Sequence, residues 1–138
     1  KKFRTKLGHW AMNLDNVCGT LAVETLYSDP DCEEWLAQAN AYMTANLEFA
    51  VTYIREHIPC ITTYVPEGTY LLWLNFSQTS LRGEELRRFL VQECKVDLCD
   101  GWEFDPDCLD HMRLNCACTR ATLEEALKRM EHVMDHER

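Results

Sequence analysis

The stretch Met112-Arg113-Leu114-Asn115-Cys116-Ala117-Cys118 decides how the fold is read. Successive side chains of a strand point to opposite faces, so Met112, Leu114, Cys116 and Cys118 share one face. His111, Arg113, Asn115 and Ala117 share the other. One face is apolar; the other is polar, with a guanidinium at its middle. A fork of donors among apolar and small neighbours calls for a carboxylate or phosphate partner. Two partners are open at this level: one of the chain's own carboxylates on an exposed sheet face, or the carboxylate of a ligand.

Upstream, no Gly or Pro occurs from residue 33 or 34 to residue 57, and Trp35, Ala39, Tyr42, Met43, Phe49, Ala50, Tyr53 and Ile54 recur at three- and four-residue steps. This predicts a long amphipathic helix, beginning after Asp29-Pro30-Asp31 and stopped by Pro59. About 24 residues at ~1.5 Å each give ~36 Å, close to the diameter of a compact domain of this size. A helix that long is expected to bridge two bodies, and Leu36, Leu47, Val51 and Ile58 widen its apolar surface accordingly. A single long core helix is the plainer alternative.

Between this helix and Arg113, residues 61–65 and 70–76 read as two strands joined by the turn Pro66-Glu67-Gly68-Thr69. Leu71 and Trp73 oppose Tyr70, Leu72, Leu74 and Phe76, so the second strand is expected to be covered on both faces. Residues 81–93 form a helix with Leu86, Phe89 and Leu90 inward, 96–99 a short strand opened by Lys95, and 101–110 a loop. After the Arg113 strand, Thr122 caps a final helix, with Glu125 at the capping-box position. The fold class is thus α+β: a small antiparallel-rich sheet with helices on one face, preceded by a long bridging helix. Residues 3–13 and 17–27 read as helical pieces separated by a turn near Asp15-Asn16.

The order Pro66-Glu67-Gly68-Thr69-Tyr70-Leu71-Leu72-Trp73-Leu74, Glu84-Glu85-Leu86-Arg87-Arg88-Phe89-Leu90, Arg113-Leu114-Asn115 and Arg120-Ala121-Thr122-Leu123-Glu124-Glu125-Ala126-Leu127 resembles the C-terminal small domain of fold-type I, PLP-dependent aminotransferases of class I/II. It looks most like the branch of cystathionine beta-lyase-like carbon-sulfur lyases. The likeness is densest over residues 66–134. It extends more weakly through Asn16-Val17-Cys18-Gly19, Glu34-Trp35-Leu36 and Asn46-Leu47-Glu48-Phe49.

The resemblance implies that Arg113 binds the alpha-carboxylate of an amino-acid substrate, two parallel hydrogen bonds fixing its orientation. It implies that Gly68 is the tight-turn glycine before Tyr70. It divides the chain into a remnant of the large PLP-binding domain (1–32), the bridging helix (33–58) and the small domain (59–138). The family's cofactor is PLP, bound by a lysine in a Ser/Lys/Phe/Asn-type segment. No such segment is present: Lys1, Lys2, Lys6, Lys95 and Lys128 read as solvated charges, and motifs for the pyridine nitrogen and the phosphate are missing too. The parent protein is therefore expected to be a cytoplasmic, homodimeric aminotransferase or lyase of amino-acid metabolism. The chain alone is expected to be inactive, free of PLP and prone to self-association. Departures from the family pattern are Asp105 and Pro106 after Gly101-Trp102-Glu103-Phe104, Cys18 for an aromatic residue, Lys95 for a glycine and Thr119 for a proline.

Composition bounds the alternatives. With 138 residues, 46% hydrophobic and 27% charged, the chain can bury one core. Its formal charge of -9 disfavours nucleic acid and anionic membranes, the basic residues Lys1, Lys2, Arg4 and Lys6 being a small terminal cluster. No apolar run reaches the ~18 residues of a membrane span, no leader pattern heads the chain, and the opening Lys1-Lys2 without Met fits a trimmed piece. The eight cysteines could suggest disulfides, or zinc through Cys94, Cys99, Cys108, Cys116, Cys118 and His111. No Cys-x-x-Cys pair supports zinc, and small buried thiols in a reducing cytosol are expected instead, so no metal is expected. The sequon at Asn75-Phe76-Ser77 reads as accidental. The competing function from another class is a stand-alone α+β module that binds an amino acid for regulation. A weaker one is a cysteine-dependent metal module.

Overall fold

A computed structural model describes residues 2–10 and 16–136. The expected end of the first helical piece at 11–13, and Asp15 of the turn after it, lie outside the described residues. In chain order the elements are α1 (Lys2–His9), α2 (Val17–Ser28), α3 (Pro30–His57), β1 (Leu71–Asn75), α4 (Gly83–Gln92), β2 (Cys99–Asp100), a single 3-10 turn (Gly101–Glu103), β3 (His111–Asn115) and α5 (Arg120–His136). The chain divides into two compact units, residues 1–40 and 41–138, and the boundary falls inside α3.

In the first unit, Asn16 caps α2 by accepting from the backbone N–H of Cys18 at 2.9 Å. The helix is apolar in composition yet buries none of its residues; Val17, Leu21, Val23, Leu26 and Tyr27 are all exposed. Phe3, Trp10, Trp35 and Leu36 of the same unit are exposed as well.

The helix α3 starts at Pro30, three or four residues before the expected position. Proline suits a first helical turn because its missing N–H has no partner to lose there, and Asp29 supports the start by accepting from the N–H of Asp31 at 2.9 Å. The helix ends at His57, just before Pro59.

The second unit is built on a three-stranded antiparallel sheet of order β1-β3-β2, with β3 in the centre. Leu72 pairs with Leu114 and Leu74 with Met112 across β1 and β3. These four are buried and form one core with Leu47, Ala50 and Ile54 of α3, Leu86 and Leu90 of α4, and Leu123, Leu127 and Met130 of α5. The expected α+β class holds. Asn46, fully buried on α3, donates to the carbonyls of Cys116 at 3.0 Å and Cys118 at 2.9 Å and so ties the helix to the chain leaving β3.

Several local expectations fail for physical reasons. Residues 61–65 make no strand: only Thr62 bridges to Asn75, and the Thr63 hydroxyl donates to the Trp73 carbonyl at 2.9 Å, a side chain standing in for the backbone ladder. The turn before β1 places its positive φ of 71° on Thr69, and Gly68 has open space where a Cβ would stand, so Gly68 does not supply the left-handed residue. Nor is β1 covered on both faces, since Leu71, Trp73 and Asn75 are half-buried while Leu72 and Leu74 are fully buried. Lys95 opens no strand. It is the left-handed residue, φ 56°, by which the chain leaves α4, and β2 begins only at Cys99. The cap of α5 is Thr119, whose hydroxyl accepts from the N–H of Thr122 at 3.3 Å, so Thr122 is already inside the helix.

Candidate functional site

Arg113 stands on the central strand, on the face turned away from the core. Its neighbours follow from register: Trp73 of β1 and Cys99 of β2 pair with it from the two sides. Its guanidinium carbon lies 4.4 Å from the centroid of the Phe104 ring, and its Nη2 donates to the Cys99 Sγ at 3.4 Å. Phe104 in turn meets the Trp73 ring edge-on, with centroids 5.8 Å apart, and Trp73 stacks on His111 at 5.6 Å.

Charge pairing bears on one of the two partners that sequence left open for Arg113. Some cations of this unit have carboxylates: Arg87 pairs with buried Asp100, Arg129 with Glu125 at 2.8 Å and Lys128 with Glu124 at 3.9 Å. Among the described residues Arg113 has no carboxylate within salt-bridge distance, and its Nε is buried without an acceptor. Among the described residues, therefore, no internal ion pair occupies it. A sulfur is a weak acceptor, so the planar fork keeps most of its hydrogen-bonding capacity. Beside it opens a groove of about 380 Å³, lined by Asp97, Cys99, Arg113, Asn115, Thr122 and Ala126 among others. That volume suits a small molecule.

The loop from β2 to β3 fixes this face. An added Cβ on Gly101 would lie 2.5 Å from the carbonyl oxygens of both Cys108 and His111, so only glycine fits where the loop crosses the start of β3. Phe104 N donates back to the Gly101 carbonyl at 3.0 Å, which closes the turn that presents the ring. Nothing in the sequence alone gives Phe104 a role at this site. The signal available was the alternation that puts Arg113 outward; the ring's place above it is a matter of loop geometry.

The lysines do not make a PLP site. Lys2, Lys6, Lys95 and Lys128 are exposed, Lys128 is engaged with Glu124, and none of them lines the groove at Arg113. Among the described residues, then, no lysine stands where it could hold the cofactor beside Arg113. No disulfide joins the eight cysteines, and burial, with Cys118 nearby, pushes the Cys116 thiol up to about 12. Among the described residues no group of three potential ligands gathers to hold a metal. No described helix is long and apolar enough to cross a membrane.

No family model matches the chain. It is 30% identical over 130 residues to the cystathionine beta-lyase PatB of Bacillus subtilis (strain 168), covering 94% of this chain and 33% of that protein. With the cystathionine beta-lyase of Corynebacterium glutamicum the identity is 36% over 121 residues, covering 86% and 31%. Among solved structures, a PLP-bound protein of Clostridium difficile 630, named as a candidate aminotransferase, superimposes with a TM-score of 0.87 at 37% identity, covering 95% of this chain and 33% of that one. The chain spans about a third of the length of the relatives it matches.

Proposed function

We propose that this chain, which belongs to the fold-type I, PLP-dependent aminotransferase family in its cystathionine beta-lyase-like branch, supplies the arginine that binds the alpha-carboxylate of an amino-acid substrate in a longer protein, and that this arginine is Arg113. One observation carries the reading: a guanidinium held on an open sheet face beside a groove, with a buried Nε and no carboxylate of its own. A carboxylate arriving there meets two coplanar donors, and the pair sets the rotation of the substrate as well as its place. Neutralising the charge compensates for desolvating the fork.

PLP, when bound to such a protein, supplies the electron sink for chemistry at the substrate's alpha carbon. The residues that would hold it are read as lying outside this chain, whose own part is to bind and orient. We assign residues 1–32 to the edge of a large cofactor-binding domain, 33–58 to the bridging helix and 59–138 to the small domain. The exposed apolar side chains of α2 support the first assignment, since none of them is buried within this chain. The isolated chain is read as inactive and prone to self-association, and the whole protein as cytoplasmic. Whether the whole protein transfers amino groups or eliminates sulfur is decided by the remainder.

The test is substrate binding by the whole protein with Arg113→Lys and Arg113→Ala. Losing one of two charge-assisted hydrogen bonds weakens binding by about ten-fold to a hundred-fold, and losing both weakens it further. Unchanged affinity in both variants overturns the assignment. Specific binding of an amino acid by the 138-residue chain alone would favour the regulatory module.

A further inference from the structure

Phe104 is a large apolar side chain left 51% exposed, so it gains little from burial where it stands. Its loop is nevertheless built to hold it. Gly101 is locked against β3, Phe104 N and Asp105 N both donate to the Gly101 carbonyl, at 3.0 and 3.2 Å, and Asp105 Oδ1 accepts from the N–H of Asp107 at 3.0 Å. The edge of Trp73 supports the ring from the β1 side. What the ring touches is the guanidinium of Arg113, which donates to the Cys99 sulfur.

An arginine side chain has several rotatable bonds, and a fork that must meet a carboxylate in one plane loses affinity when it wanders. Elsewhere such a fork is steadied by a carboxylate, but here that position is open. The π face of a ring can hold a cation without occupying its in-plane donors, since the guanidinium stacks through its face and hydrogen-bonds through its rim. We propose that Phe104 is a positioning residue: its ring fixes the plane of the Arg113 guanidinium so that the outer donors stay free for the carboxylate of the substrate. This rests on the assignment of Arg113 made above.

The experiment compares L-serine with ethanolamine, which is the same amine without the carboxylate, by titrating the cofactor absorbance of the PLP-loaded whole protein. Phe104→Ala and Phe104→Leu are expected to bind L-serine about five-fold more weakly, ethanolamine equally, and Phe104→Trp to restore the L-serine affinity. Phe104→Leu keeps apolar bulk but has no π face, so a loss of packing alone would spare it. If Phe104→Leu binds L-serine as the unaltered protein does, or if both ligands weaken together, the positioning role is overturned. If Arg113→Lys and Arg113→Ala both leave L-serine binding untouched, or the unaltered protein fails to prefer L-serine to ethanolamine, the Arg113 assignment itself fails.

Discussion

Gly101→Ala is the sharpest test of the scaffold that presents the site. The added Cβ would meet the carbonyl oxygens of Cys108 and His111 at 2.5 Å each and the His111 carbonyl carbon at 3.0 Å. Ordinary contact begins near 3.4 Å, so the loop and the start of β3 must part by about 0.9 Å. All three atoms are backbone, and no side chain can rotate out of the way. Overpacking costs about 1–3 kcal/mol, and with two rigid contacts the upper end, about 3 kcal/mol, is expected. In urea, with a slope of about 1.5 kcal/mol/M, the unfolding midpoint should fall by about 2 M with the slope unchanged. Gly68→Ala is the internal control. Nothing stands within 4 Å of its added Cβ and its φ is not in the left-handed region, so its midpoint should stay put or rise slightly. Equal shifts in the two variants, or a Gly101→Ala cost under about 0.5 kcal/mol, would refute the reasoning.

Lys95→Gly should stabilise the chain by about 1 kcal/mol in the same assay, because it removes a side chain from a left-handed position at the exit of α4. Asn46→Ala should cost about 2–3 kcal/mol, as two buried carbonyls at Cys116 and Cys118 lose their donor, partly offset by removing the unpartnered Asn46 Oδ1. Burial first, then the hydrogen bond to Glu131, pushes the Tyr53 hydroxyl up to about 12 from an ordinary value near 10. The folded state therefore holds this proton longer than the unfolded one, and stability that is steady below about pH 10 should be lost between about 10 and 12. In a tyrosinate absorbance titration, Tyr53→Phe should abolish the latest component; if that component persists, its assignment to Tyr53 is wrong.

How far the sequence could be read depends on whether the signal is periodic. The helix α3 and the strand β3 were legible, because one long apolar stripe and one alternation each admit a single reading. Leu86, Leu90 and Leu114 fall on inward faces on the same basis, and all three are buried. What failed was decided by single atoms. Thr63 replaced a ladder bond with its hydroxyl, Thr69 took the positive φ expected of Gly68, and Thr119 capped a helix whose sequence offered Thr122 equally well. At the site, alternation turned Arg113 away from the core but could not say what met it there. The place of Phe104 follows from Gly101 crossing β3, a contact between residues that are near in the fold and unremarkable in sequence.

The most direct measurement is a crystal structure of the whole protein with an amino acid bound. Both carboxylate oxygens should lie within hydrogen-bonding distance of the Arg113 guanidinium, with the Phe104 ring still stacked on it. A carboxylate held by another cation, with Arg113 touching neither the substrate nor its neighbours in the cleft, would contradict the account.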